Sequence, residues 1–194
     1  MRMAIISMET TNVHCYTMYS ILTKERYAQK WGYDFINQLG SLNTNRHIFW
    51  TKILALLNYI TKYDYLFWID GDAAIMNMDI DFKSLLLPEN DFIFATDVNG
   101  INAGVFIVRC TPYAKEVLEK VYSMTEFDSH LWKEQAAFVE LYNTDPKVTR
   151  MTGILPKRKF NSYLDDYEPG DFILHLPGVH DNRRVDIFSN LIAV

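Results

Sequence analysis

The chain of 194 residues predicts an α/β fold, a mixed and mostly parallel sheet flanked by helices. Two observations lead there. Runs of β-branched and aromatic residues, of strand length, alternate with segments whose apolar residues recur at helical spacing. No repeat, low-complexity tract or linker breaks that alternation, so one domain accounts for it.

Met3 to Met8 reads as the first strand, and the polar Glu9-Thr10-Thr11-Asn12 after it offers helix-capping side chains. A helix from about Val13 to Trp31 follows, stopped by Gly32. Tyr33 to Ile36 is the second strand and completes a strand–helix–strand unit. Phe49, Ile53, Leu56, Leu57 and Ile60 share one helical face, which predicts a second helix over about Arg46–Lys62 capped by Asn45. Tyr65 to Ile69 reads as a buried strand. Asp91–Thr96 and Gly104–Val108 are two more, joined by a loop that holds Asp97, Asn99, Gly100 and Asn102. Thr111-Pro112 pairs a cap with proline at the first helical position and opens a helix to about Met124. Another helix is expected over Ser129–Tyr142. Beyond it the chain reads as irregular, with a strand near Phe172–His175 and an antiparallel element late in the sheet.

Aromatic residues at 14% and charged residues at 22% place the chain among globular proteins rather than disordered ones. A formal net charge of -5 leaves no broad basic field, so nucleic acid is not an expected partner. No stretch approaches the ~20 apolar residues of a membrane span. The N-terminal apolar run is too short for a signal peptide, and no Asn-x-Ser/Thr acceptor occurs. These features lead to the expectation of a cytoplasmic or otherwise soluble intracellular protein, or a soluble domain of a longer one. Cys15 and Cys110, in apolar segments far apart, read as buried free thiols.

The chemistry concentrates at Asp70-Gly71-Asp72, where a strongly apolar strand ends in two carboxylates around a glycine. Two such charges repel unless a cation sits between them, and oxygen ligands suit Mg²⁺ or Mn²⁺. In α/β sheets, ligands bind at the carboxyl ends of strands. Spacing alone proves little, since Asp79-Ile80-Asp81 repeats it; there Asp81 reads as a helix N-cap and Asp79 as a solvated turn residue. Lys52, on the flank of its helix's apolar stripe, is either a snorkelling side chain or a charge at a phosphate site. His175 and His180 bracket a Pro-Gly turn followed by Arg183 and Arg184, so an imidazole can join the carboxylates while nearby cations hold phosphates. His14 and His47 read as packing residues and His130 as surface. Glu134-Gln135 lies either on a solvated helix face or in a cleft.

Together these segments resemble glycosyltransferases of the GT-A fold, in the family of yeast α-galactosyl- and α-1,6-mannosyltransferases and plant xyloglucan xylosyltransferases. Trp68-Ile69-Asp70-Gly71-Asp72-Ala73-Ala74-Ile75-Met76-Asn77 resembles that family's Asp-x-Asp signature. Arg26 to Phe35, Trp50-Thr51-Lys52-Ile53, Asn102-Ala103-Gly104, Glu134-Gln135 and His175…Gly178 resemble its other segments, in the right order. The chain departs from the family in being shorter and without a membrane anchor, and in this it resembles capsid-glycosylating enzymes of large algal viruses.

The resemblance implies a single catalytic domain over 1–194, with a nucleotide part at about 1–100 and a sugar and acceptor part at about 101–194. It implies transfer of a sugar from a nucleoside diphosphate sugar, a UDP-sugar, to a hydroxyl of a glycan or glycoprotein. Asp70, Asp72 and His175 would hold Mn²⁺ or Mg²⁺. Thr10, Thr11 and Tyr16 would meet the nucleoside, and Lys52, Gly71, Gly178, His180 and Arg183 would contact or stabilise the diphosphate. Asp97, Asn102, Gly104, Glu134 and Gln135 would lie by the sugar or acceptor. An inverting reaction would need a carboxylate base, Asp97 or Glu134, whereas the retention implied by the family needs none. Two other readings draw on the same residues. One is a haloacid-dehalogenase-type phosphatase, with Lys157 and Asp165-Asp166 completing its site. The other is a metal-dependent sugar-binding domain without turnover.

Overall fold

Period-two alternation along the central strands sends side chains to two cores, one on each face of the main sheet. Ala4, Ile6, Leu66 and Trp68 pack on one face, and Ile5, Phe67, Ile69, Val105 and Ile107 on the other. Both faces are covered, which is why the strands read as continuous apolar runs. Phe67 and Trp68 are fully buried, each contributing about 2 kcal/mol on the scale of a large apolar side chain.

The computed structural model describes residues 1–43 and 45–192. The elements are β1 (Met3–Glu9), α1 (His14–Trp31), β2 (Asp34–Leu39), α2 (Thr51–Tyr59), β3 (Tyr65–Ile69), β4 (Ala73–Ile75), β5 (Phe92–Asp97) and β6 (Gly100–Arg109). They continue as α3 (Pro112–Ser123), α4 (Lys133–Thr144), α5 (Pro146–Arg150), β7 (Thr152–Leu155), β8 (Ser162–Tyr163), β9 (Ile173–His175) and α6 (Asp181–Leu191). The main sheet runs β2-β1-β3-β6-β5-β7, with β6 alone antiparallel to its neighbours. A small sheet, β4-β9-β8, lies beyond the end of β3. This is the expected mixed, mostly parallel sheet flanked by helices.

Several boundaries match the sequence reading because their signals are local. Gly32, at φ +70, ends α1 in the left-handed conformation and returns its amide to Ala28 O. The Thr111 hydroxyl accepts from Ala114 N at the start of α3. Asp81 caps a short 3-10 turn, and Asp79 is exposed and pairs with Lys30.

Other boundaries shift. The expected second helix begins as a 3-10 turn, Ile48–Trp50, capped by the His47 ring rather than by Asn45, and its α-helical part is only Thr51–Tyr59. The loop expected between Asp97 and Asn102 is mostly strand, because β5 turns directly into β6 at Gly100, φ +104. α4 starts at Lys133 rather than Ser129. The C-terminal region expected to be irregular contains α5, β7, β8 and α6. His14 and His47 are exposed rather than packed in the core, as is Cys15; Cys110 is half-buried, and both thiols are free.

Candidate active site

A cleft of about 910 Å³ opens where β3 ends, and Asp70, Gly71 and Asp72 line it. Side chains on β3 alternate, so Asp70 lies on the same face as Leu66 and Trp68, the face covered by α2 and α4. Trp68 Nε1 donates to Asp70 Oδ1 at 2.6 Å. Lys52 on α2 is 4% exposed, which removes the snorkelling reading. Its Nζ is 3.1 Å from Asp70 Oδ1 and 3.1 Å from Glu134 Oε1, and it donates to Ala103 O at 2.7 Å.

Burial works against the Lys52 charge, but Asp70 and Glu134 outweigh it and hold the ammonium above its ordinary pKa. One ammonium shared by two carboxylates leaves the trio net negative. Burial therefore pushes the Glu134 carboxyl above its ordinary range, with Asp70 adding to it and Lys52 opposing. Glu134 Oε2 is buried with no hydrogen-bond partner among the described residues, although its residue lines the cleft. Gln135 Oε1 accepts from Ala103 N at 3.0 Å and Asn102 Nδ2 at 3.3 Å, so the amide is held by β6. The Glu134-Gln135 pair thus faces the cleft and not solvent.

The other carboxylate is positioned by the small sheet. β4 begins directly after Asp72, and its first residue, Ala73, pairs with His175 on β9. Leu176 N donates to Asp72 O at 3.0 Å, which locks β9 alongside the turn. His175 Nε2 is 3.4 Å from Asp72 Oδ1, and Arg184 Nη2 donates to Asp72 Oδ2 at 2.7 Å. Burial raises the Asp72 pKa, but the His175 imidazole and the Arg184 guanidinium outweigh it and hold the carboxyl well below the usual range. His175 Nδ1 is 2.8 Å from Asn161 Oδ1, and Asn161 Nδ2 donates to Asn102 Oδ1 at 3.0 Å. With Nδ1 engaged by Asn161 Oδ1, Nε2 is the ring nitrogen that faces Asp72. Gly104 makes room for this ring: a Cβ there would lie 2.3 Å from His175 Cε1.

One ligand atom from each of Asp70, Asp72 and His175 lies within 4.8 Å of the others. Two carboxylates and an imidazole, oriented from behind by Trp68 and Asn161 and from the cleft wall by Arg184, form a donor set that fits Mn²⁺ or Mg²⁺.

Of the other residues expected at the site, Thr10, Tyr16, Lys52, Asn102, Gly104 and Gly178 line the cleft. Thr11, His180 and Arg183 are exposed and lie outside its lining. Arg184, one residue along the same helix turn, takes the place expected of Arg183; its guanidinium lies 4.9 Å from the Tyr16 ring centroid. Asp97 also lies outside the lining, where its Oδ2 accepts from Tyr163 OH at 2.6 Å and Asn102 Nδ2 at 3.1 Å. Lys157 and Asp166 pair with each other at 2.7 Å away from the cleft, and Asp165 is exposed. They do not complete a phosphatase site around Asp70.

In the sequence Arg184 is named only beside Arg183 as a nearby cation, and neither Lys24 nor Asn161 is singled out. Asn161 and Lys24 carry no local motif, and Arg184 is marked only by its neighbour. An aromatic rim was missed as well: His47, Phe49 and Trp132 line the cleft, with Phe49 and Trp132 40–45% exposed. Between Trp132 and Glu134, Lys133 is the one non-glycine residue at positive φ among the described residues, at 38°. Such strain is held only where surrounding structure imposes it.

The chain is similar to an alpha-1,2-galactosyltransferase of Schizosaccharomyces pombe, at 24% identity over 86% of this chain and 57% of that protein. It is also similar to a probable alpha-1,6-mannosyltransferase MNN10 of Saccharomyces cerevisiae, at 23% identity over 74% of this chain and 47% of that one. The chain therefore spans about half the length of these curated relatives. A glycosyltransferase involved in the glycosylation of the major capsid of PBCV-1 has the same fold, with a TM-score of 0.83 and 16% identity over 98% of this chain and 100% of that one. The galactosyltransferase LgtC, solved in complex with donor and acceptor sugar analogs, gives a TM-score of 0.68 at 11% identity over 98% and 97% of the two chains. The fold is thus that of GT-A glycosyltransferases. Over residues 3–91 and 88–186 the sequence matches a single family, and the chain belongs to the galactosyl transferase GMA12/MNN10 family.

Proposed function

We propose that the chain is a glycosyltransferase that moves a sugar from a nucleoside diphosphate sugar, a UDP-sugar, to a hydroxyl of a glycan or glycoprotein, using Mn²⁺ or Mg²⁺. The observation that carries this reading is the Asp70, Asp72 and His175 cluster on the wall of a large cleft, in a chain of this family. A bound divalent cation supplies Lewis-acid stabilisation of the charge that builds on the departing diphosphate.

The chain's own groups divide along the cleft. At the Asp72 end, Arg184 and Tyr16 form a cationic and aromatic wall beside Thr10, suited to the nucleotide. At the Asp70 end, Lys52 pairs with one oxygen of Glu134, a residue that lines the cleft beside Gln135. Its place on the cleft lining makes Glu134, rather than Asp97, the carboxylate nearer a reacting sugar. Gln135, with its Oε1 committed to β6, keeps its amide nitrogen as a donor. His47, Phe49 and Trp132 beyond Glu134 offer apolar ring faces to the acceptor sugar. On this reading the nucleotide lies on residues before about 100 together with Arg184, and the sugar and acceptor lie mainly on later ones.

No helix among the described residues is long and apolar enough to cross a membrane. The phosphatase reading loses its lysine and acidic pair, as described above. The test is calorimetry with UDP and Mn²⁺. Wild-type protein should bind UDP in a Mn²⁺-dependent way and Asp72→Asn should not; unchanged binding by the variant would remove the metal assignment. Binding of a UDP-sugar with neither hydrolysis nor transfer would favour a sugar-binding domain instead.

A further inference from the structure

Three consecutive carbonyls at the end of β3, those of Ile69, Asp70 and Gly71, each accept a hydrogen bond from a different buried side chain. Ser7 Oγ donates to Ile69 O at 2.7 Å, Lys24 Nζ to Asp70 O at 2.7 Å, and Ser20 Oγ to Gly71 O at 2.5 Å. Ser7, Ser20 and Lys24 are all 0% exposed. Ser20 and Lys24 stand one turn apart on α1, and Ser7 lies on β1. The donors are also linked to one another, since Lys24 Nζ reaches Ser7 Oγ at 2.9 Å and Ser20 Oγ at 3.5 Å.

A fully buried lysine is uncommon and is normally found paired with a carboxylate. Lys24 forms no ion pair with any described carboxylate, although Asp70, Asp72 and Glu9 are the charges that act on it most. Its Nζ is spent on the backbone of the turn, while the two carboxylates are held by other groups, Lys52 and Trp68 at Asp70 and Arg184 and His175 at Asp72. Packing presses the turn onto the same surface: a Cβ on Gly71 would lie 3.0 Å from both Met8 O and Thr17 Cγ2. The backbone between the two carboxylates is therefore fixed from behind at each peptide.

We propose that Lys24, together with Ser7 and Ser20, is a positioning bracket that holds the backbone of the Asp70-Gly71-Asp72 turn and so sets its affinity for a divalent cation. The proposal rests on the cation reading of that turn given above. None of the three side chains touches the cation; they act by keeping the two carboxylates at one separation, so that binding does not have to order them. Groups that orient metal ligands from behind typically change affinity about 10- to 100-fold when removed.

The experiment measures Mn²⁺ affinity of the full chain by calorimetry, and by the electron-spin signal of the bound ion, for wild type, Lys24→Met and Ser20→Ala. Melting in EDTA is followed in parallel. Lys24→Met should weaken Mn²⁺ binding about 10- to 100-fold. Ser20→Ala, which removes one hydroxyl and keeps the test alive if the lysine variant does not fold, should weaken it several-fold. A variant that melts earlier in EDTA yet binds Mn²⁺ as wild type does would make the cluster a core element only and overturn the proposal. Wild-type protein that binds no Mn²⁺ would instead overturn the cation reading beneath it.

Discussion

Gly104→Ala isolates the placement of His175. The new methyl carbon would lie 2.3 Å from His175 Cε1, 3.0 Å from Nε2 and 3.1 Å from Asn102 Oδ1. An ordinary carbon–carbon contact is about 3.5 Å, so the ring must retreat by roughly 1 Å. It has little freedom to do so, because Asn161 holds Nδ1 at 2.8 Å and the Tyr163 ring packs edge-on with centroids 5.5 Å apart. Overpacking of this kind costs about 1–3 kcal/mol. At the middle of that range the Tm of a chain this size falls by roughly 4–8 °C. The displaced Nε2 should also weaken Mn²⁺ binding about 10- to 100-fold.

The assay pairs thermal melts in EDTA with Mn²⁺ calorimetry, using Gly153→Ala as the comparison. A Cβ at Gly153 would lie 2.4 Å from Leu87 Cδ1, the far end of a flexible side chain away from the cleft. That variant should bind Mn²⁺ as wild type does. If Gly104→Ala melts early but binds Mn²⁺ normally, His175 is a core residue and not a ligand. If neither quantity moves, the close approach of Gly104 to the ring is wrong.

Arg184→Ala should destabilise the protein by about 3 kcal/mol at neutral pH, the low end for breaking a largely buried ion pair, because His175 still faces Asp72. Asp72 has a folded pKa below its unfolded one, so the stabilisation from its pairs is complete above the unfolded value of about 3.9 and fades as pH falls below it. Denaturant titrations should therefore show the wild-type advantage over Arg184→Ala shrinking below about pH 4, while Arg183→Ala stays within about 0.5 kcal/mol throughout; a pH-independent difference would contradict the pairing. Burial pushes the Cys110 thiol up to about 12, whereas Cys15 is exposed. Iodoacetamide at pH 8 should label Cys15 in the folded protein and reach Cys110 only on unfolding, a pattern read directly by peptide mass.

Much of the frame was legible because its signals are local. The apolar run Tyr65–Ile69 is the observed β3 residue for residue, and the caps at Gly32 and Thr111 stand where their chemistry requires. Asp70-Gly71-Asp72 stood out through the same strand, and its duplicate at Asp79 and Asp81 proved to be the cap and surface residue its neighbours suggested. α6 escaped because its apolar stripe is short, Val185 and Phe188 followed by Ile192, and only Phe188 within the helix is fully buried. β4 escaped because three residues carry no period, and its partner β9 lies about a hundred residues away.

Residue order alone determined the α/β class, the Asp70-Gly71-Asp72 turn at the end of its strand and, through the family likeness, the approach of His175 to that turn. It could not choose Arg184 over Arg183, because neighbouring side chains on a helix point about 100° apart and the choice depends on how α6 packs against α1. Nor could it show Lys24 beneath Asp70, Asn161 behind His175, or the unpartnered oxygen of Glu134. Each of these depends on side chains from separate elements converging on one point. Such convergence is a property of the packed chain and leaves no spacing in the sequence to read.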